Sequence, residues 1–202
     1  AEKYQLVEKD EFAEDLETAL NGNAIVNELP RLQAIIDTTS GNRFTTDPAM
    51  NDLLIANTHQ YAPSKYHLRR GDNKCHQQSS GLLFSTWLGQ GAWLANAAGK
   101  GDLEELFKRV KNEHKSSHYF VLARDIAPAE REGMPWSWMD WTDKSTTITS
   151  DMHRGYVVPD GWDEVHFNRG ASITVNANAP LLRLLTFRRS MTDRLDAFIA
   201  GE

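Results

Sequence analysis

The sequence predicts an α+β protein, with an N-terminal helical lobe followed by a two-sheet, mostly antiparallel β core around a cleft. Three observations predict it. Apolar residues recur at helical spacing up to about residue 62, and short alternating or wholly apolar runs bounded by glycine and polar residues dominate after Pro63. A composition of 40% hydrophobic and 25% charged residues over 202 positions suits one globular domain with a full core. The expected division is residues 1–62 for the lobe and 63–202 for the α+β core, within a single compact domain.

The lobe is read as three helices. Asp10 is a plausible N-cap, and Phe12, Leu16, Ala19 and Leu20 then share a face before Asn21-Gly22 stops the run. Leu29, Leu32, Ile35 and Ile36 repeat the spacing, with TTSGN closing the second helix. Asp47-Pro48 suits the start of a third, carrying Met50, Leu53 and Leu54.

Beyond Pro63, KYHLRRGD and GLLFSTWL read as strands. Trp93, Leu94, Ala97 and Ala98 form one helical face, Gly99 to Gly101 break it, and Asp102 caps a second run with Leu103, Leu106, Phe107 and Val110. HYFVLAR reads as a buried strand. Residues 127–150 lose periodicity and are expected to be a long irregular segment, with Trp136, Trp138 and Trp141 folded over the core or stacking a planar ring. DEVHF, SITVNA and LRLLTF read as three further strands, and the run from Met191 with Leu195, Phe198 and Ile199 as a terminal helix.

Composition narrows the function classes. A net charge of −6 opposes general nucleic-acid affinity, which needs a surplus of Lys and Arg on the binding face. Arg183, Arg188, Arg189 and Arg194 read as a solvated face. The charged N-terminus is unlike a signal sequence and no run is long and apolar enough to span a bilayer, so no membrane partner and a cytoplasmic setting are expected; delivery as a secreted effector stays open. Cys75 is the single cysteine, and the seven histidines lack paired local spacing, so no metal is expected. No Walker loop, GxGxxG or GxSxG is present.

Three local features carry the chemistry: Arg70 in LRRGD, Ser85-Thr86 in GLLFSTWL followed by the small-residue run AWLANAAG, and Glu164 in EVHFNRGASITV. In this order they resemble the ADP-ribosyltransferase superfamily, in its Arg-Ser-Glu branch of toxin-like bacterial and phage effectors. The resemblance spans roughly residues 50 to 190. It implies an NAD cleft and an enzyme that cleaves the nicotinamide-ribose bond and passes ADP-ribose to a macromolecular acceptor, expected to be a protein, or to water. It further implies Glu164, Arg70 and Ser85 as catalytic residues and Arg69, Arg70, Gly71, Ser85 and Thr86 as contacts to NAD.

These residue types suit that chemistry. A carboxylate facing the charge that develops on the ribose carbon lowers the barrier, and an arginine fork matches a diphosphate. A hydroxyl between them would hold both in register.

The sequence departs from the family at Trp162, where members that modify arginine carry Glu or Gln. In a strand, positions 162 and 164 share a face, so the indole is expected beside Glu164 and an arginine acceptor is disfavoured. KSTTITSD, with Ser145, Thr146 and Thr147, offers a competing serine motif, although Ser85 is preferred. The alternative from a different class is a non-catalytic, acidic, immunity-type protein that covers a basic partner by charge complementarity.

Overall fold

The computed structural model describes residues 11–110, 117–133, 135–189, 193 and 197. The expected Asp10 cap, Arg194 and the terminal helix with Leu195, Phe198 and Ile199 lie outside the described residues. In the larger of two compact units, residues 30–180, two six-stranded sheets with antiparallel pairing throughout form the core. The α+β class with two antiparallel sheets is therefore as the sequence predicts.

The first sheet has the order β3 (Arg43–Thr45), β2 (Gln33–Asp37), β13 (Ser172–Asn176), β10 (Thr146–Ser150), β5 (Ser64–Arg70) and β6 (Asn73–Ser79). Its strands alternate. Along β5, Ser64, Tyr66, Leu68 and Arg70 are buried while Lys65, His67 and Arg69 are exposed, the pattern of a sheet with one wet face.

The second sheet has the order β12 (Val165–Asn168), β11 (Arg154–Pro159), β4 (Asp52–Asn57), β7 (Leu82–Ser85), β8 (Tyr119–Ala123) and β9 (Met139–Thr142). Every residue of β7 and β8 is buried. One face meets the first sheet through Leu53, Ile55, Phe84, Tyr119 and Val121, which pack with Tyr66, Leu68, Ile148 and Ile173. The other face is covered by α2 (Trp93–Ala98) and α3 (Lys100–Val110), whose Leu94, Ala98, Leu103 and Leu106 pack on Leu83, Phe120, Leu122 and Trp141. A strand buried on both faces reads as a continuous apolar run, and LLF and YFVLA are such runs.

The helical lobe expected over residues 1–62 is corrected. Only α1 (Phe12–Leu20) forms there among the described residues, and β1 (Ile25–Leu29), β2, β3 and β4 replace the second and third helices. In the second run, Leu32, Ala34 and Ile36 turn inward at the two-residue period of a strand, so the helical spacing of Leu29, Leu32, Ile35 and Ile36 was coincidental. In the third, Asp52 to Ala56 are all buried, and a run buried on both faces satisfies a helical template as readily as a strand template.

Residues 127–150 are likewise not irregular. They form α4 (Pro128–Gly133), α5 (Pro135–Trp138), β9 and β10. Trp141 packs in the helix-covered core, Trp136 against the core between the sheets, and Trp138 against both.

The smaller unit contains α1 and the antiparallel pair β1 and β14 (Leu182–Thr186). Arg188 pairs there with Glu11 and Asp15, and Arg189 with Asp193 at 3.0 Å. These arginines are neutralised locally. Among the described residues no helix is long and apolar enough to cross a membrane.

Candidate functional site

The groups that chemistry would use gather where β4 begins. Asp160, just after β11, is held in the left-handed region at φ 46°. Its carboxylate accepts the backbone N–H groups of Met50 at 2.7 Å, Asn51 at 2.8 Å and Asp52 at 2.9 Å. Aspartate tolerates this backbone conformation better than most residues, and its charge satisfies three donors in succession. The chain is thereby fixed as it enters β4.

Ser85 and Thr86 brace the same segment from the end of β7. The Ser85 hydroxyl lies 3.2 Å from both the Asn51 and Thr86 carbonyl oxygens, and the Thr86 hydroxyl donates to the Met50 carbonyl at 2.5 Å. The Thr86 backbone N–H donates to the Asn51 carbonyl. Gly89, in the turn Leu88–Gly91, fits because it lacks a Cβ; one there would overlap the Asn51 carbonyl and the Ser85 hydroxyl.

Asp52 lies directly opposite Ser85 in the register. It is only 7% exposed. Its Oδ2 accepts the Trp93 backbone N–H at 3.3 Å, while Oδ1 is buried without a hydrogen-bond partner. Burial pushes its carboxyl up to about 6 and nearby Asp160 adds to the rise. The Ser85 hydroxyl, its proton drawn to two carbonyl oxygens, and the Trp93 N–H pull it only partly back. The carboxylate faces a cleft of about 310 Å³ lined by Asn51, Asp52, Ala92, Trp93, Asp160 and Gly161 among others.

An acid with a raised pKa in the lining of a cleft marks a candidate site. It also makes a stability prediction. The folded group titrates near pH 6 against 3.8 for an ordinary aspartate, so between about pH 4 and 6 the folded chain holds a proton that the unfolded chain has released. Stability from this group therefore falls as pH rises through that window, by about 3 kcal/mol in all. Unfolding free energies across that range should converge with those of Asp52→Asn at one end and diverge at the other. A constant difference would mean that Asp52 titrates normally.

The residues assigned from the sequence fall in several places. Ser85 and Thr86 belong to the cleft region, as framework for Asp52. Arg70 does not: it is 4% exposed, its Nε donates to Thr146 Oγ1 at 3.1 Å, and its Nη1 donates to Asp140 at 2.8 Å and to the Trp136 carbonyl at 3.1 Å. Burial lowers its basicity, and Asp140 chiefly opposes that. Arg69 lies on the exposed face of the first sheet, and Gly71, at φ 57°, makes the tight turn between β5 and β6.

Glu164 is half exposed and stands 3.7 Å from His166. Arg70, Ser85 and Glu164 bond to different partners and to none of one another. Ser145 is exposed and does not stand between Arg70 and Glu164; the hydroxyl on Arg70 belongs to its neighbour Thr146. The shared face of Trp162 and Glu164 is also corrected. β12 starts only at Val165, and Asp163 at φ 45° breaks the alternation, leaving Trp162 75% exposed.

The sequence reading missed Asn51, Asp52, Trp93 and Asp160. Two signals were available: an acid heading the apolar run LLIA, and Asp160-Gly161 as a turn pair facing it.

No family model and no curated protein sequence matches the chain. Solved structures do. Yeast NADH kinase complexed with NADH superposes with a TM-score of 0.67 at 12% identity, over 95% of this chain and 55% of that one. An NAD kinase from Archaeoglobus fulgidus in complex with ATP gives a TM-score of 0.60 at 14% identity, over 96% of this chain and 67% of that one. The chain thus spans little more than half the length of the yeast enzyme, and shares its fold over that part.

Proposed function

We propose that this chain binds a nucleotide of the NAD class, seating a nucleoside portion against Asp52 in the cleft at the head of β4. The observation that carries the reading is the Asp52 carboxyl in the lining of this cleft, its pKa raised to about 6 by burial. A ribose diol or an exocyclic amine can donate to this carboxylate where it lines the cleft, and the Trp93 indole offers a flat apolar surface for a ring. At about 310 Å³ the cleft suits a nucleoside, with phosphates directed outward. Asp52 and Asp160 disfavour phosphate inside it. The Arg124 guanidinium, 5.1 Å over the Trp93 ring, brings positive charge to the cleft's neighbourhood.

The superposed structures, one an NADH kinase complexed with NADH and the other an NAD kinase in complex with ATP, support the ligand class. ADP-ribosyl transfer, implied by the resemblance, needs an acid beside the bound ribose. Glu164 has an exposed surroundings and a histidine partner, whereas Asp52 has the cleft. Binding is accordingly the reading put forward, with turnover of NAD a finer claim that nicotinamide release would have to establish.

The test is titration of the chain with NAD and NADH, followed by NADH fluorescence and by calorimetry. Saturable binding that weakens at least about tenfold in Asp52→Ala is expected, the loss of one charge-assisted contact. Equal affinity in the variant, or no binding to either nucleotide, would remove the proposal and favour the acidic binding-protein reading.

A further inference from the structure

On the exposed face of the first sheet, away from the Asp52 cleft, two histidines and an aspartate converge from three adjacent strands. His67 in β5 and His76 in β6 stand directly opposite each other, their rings 4.7 Å apart between centroids. Asp151 follows β10, the neighbour of β5 on its other side. Its Oδ2 lies 3.2 Å from His67 Nε2 and 3.2 Å from His76 Nε2, and the three ligand atoms all fall within 4.8 Å of one another.

We infer that His67, His76 and Asp151 form a binding site for a zinc-class divalent transition-metal ion, with a further coordination position open to solvent. The two His–Asp distances suit shared metal ligation, while the two imidazole nitrogens, within 4.8 Å of each other, would draw together around an ion. Charge-assisted N–H···O⁻ bonds are usually about 2.7–2.9 Å long, shorter than both contacts here. Ligands at zinc bond lengths of about 2.0–2.2 Å in a tetrahedron are roughly 3.3 Å apart, close to the observed 3.2 Å. An ion pair would also require both imidazoles to present Nε2–H to the same oxygen, whereas a metal uses the lone pairs that neutral imidazoles offer there.

The backbone of Asp151 is held before any ion arrives. The Asp151 backbone N–H donates to the Lys65 carbonyl at 2.9 Å, and Arg169 Nε donates to the Asp151 carbonyl at 3.0 Å. Two imidazoles and one carboxylate suit zinc, copper or nickel better than magnesium or calcium, which prefer all-oxygen shells. Cys75 is no ligand: it neighbours His76 in the strand, so it faces the opposite side and packs against the core. The site opens onto a shallow cavity of about 420 Å³ also lined by Arg69, Lys74 and Thr149, where water or a small anion can complete the coordination. No local histidine spacing announces such a site, because its ligands are brought together only by strand pairing.

The test uses the untagged chain with Zn²⁺ in competition with a chromophoric chelator, and with Co²⁺ as a spectroscopic substitute. One equivalent of metal should bind, and Co²⁺ should give the intense visible bands of four-coordinate geometry. Affinity should fall at least tenfold in His76→Gln and in Asp151→Ala, with His59→Gln unchanged. His59 and His76 are exposed and Asp151 is half-buried, and circular dichroism is used to check that each variant folds. In the unaltered protein, adding Zn²⁺ should shift the imidazole NMR signals of His67 and His76 before those of the other five histidines. No stoichiometric binding, equal loss in His59→Gln, or shifts confined to other histidines would overturn the inference.

Discussion

Replacing Arg70 by Met is expected to destabilise the fold by about 3 kcal/mol or more, without a specific effect on nucleotide binding. The guanidinium joins three elements: Thr146 of β10, the Trp136 carbonyl of α5 and Asp140 of β9. Breaking a buried ion pair by removing one partner costs about 3–5 kcal/mol, because the other charge stays behind. Asp140 is about a quarter exposed, so water recovers part of that and the lower end applies. Against a total stability of roughly 5–15 kcal/mol for a domain, the loss is large. Arg70→Lys should fall between, since an ammonium reaches Asp140 but lacks the fork that serves Thr146 and Trp136 together. Urea unfolding measures both. Unchanged stability with weakened binding would return Arg70 to the ligand site that the sequence resemblance assigns it.

Asp160→Ala is expected to affect both stability and binding. Three backbone donors lose a charged acceptor, each bond worth about 1.5–3 kcal/mol, although at this partly exposed position water replaces some of them. Alanine is also strained at the φ of 46° that Asp160 adopts, by about 1 kcal/mol. A net cost of about 3–4 kcal/mol follows. Because the same bonds fix Asn51 and Asp52, the folded fraction should also bind NADH at least tenfold more weakly. Asp160→Asn, which keeps one acceptor and tolerates the backbone, should lose less of each. Wild-type affinity in Asp160→Ala would show that the Met50–Asp52 segment needs no such anchor.

The sequence disclosed the fold best where strands are half-wet or wholly apolar and bounded by turns. KYHLRR alternates and YFVLA is apolar throughout, and both are strands where expected. It misled where two periods coincide. Met50, Leu53 and Leu54 fit a helical face, yet Asp52, Ile55 and Ala56 are buried as well, and β4 pairs with β7 and β11. Strand order was not legible because each sheet is closed by distant segments, such as β2 against β13.

The site was legible only in part for the same reason. Ser85 and Thr86 attract notice as hydroxyls at the end of an apolar strand, and they do brace the cleft. The carboxylate beside them, Asp52, comes from β4, where the sequence spacing predicts a helix, whereas the family resemblance points to Glu164 in a segment they do not touch. Arg70 is assigned to the ligand by the resemblance of LRRGD to the family's arginine strand. Alternation along β5 turns Arg69 outward and Arg70 into the core, and only the burial pattern distinguishes them.

The claim that a nucleotide of the NAD class sits against Asp52 is tested most directly by hydrogen exchange of the backbone amides with and without saturating NADH. Slowed exchange concentrated at residues 50–53, 86–94 and 159–161, and absent in Asp52→Ala, is the result predicted. Binding that instead protects residues 69–72 and 164–168, or that leaves the Asp52 segment unchanged, would contradict it.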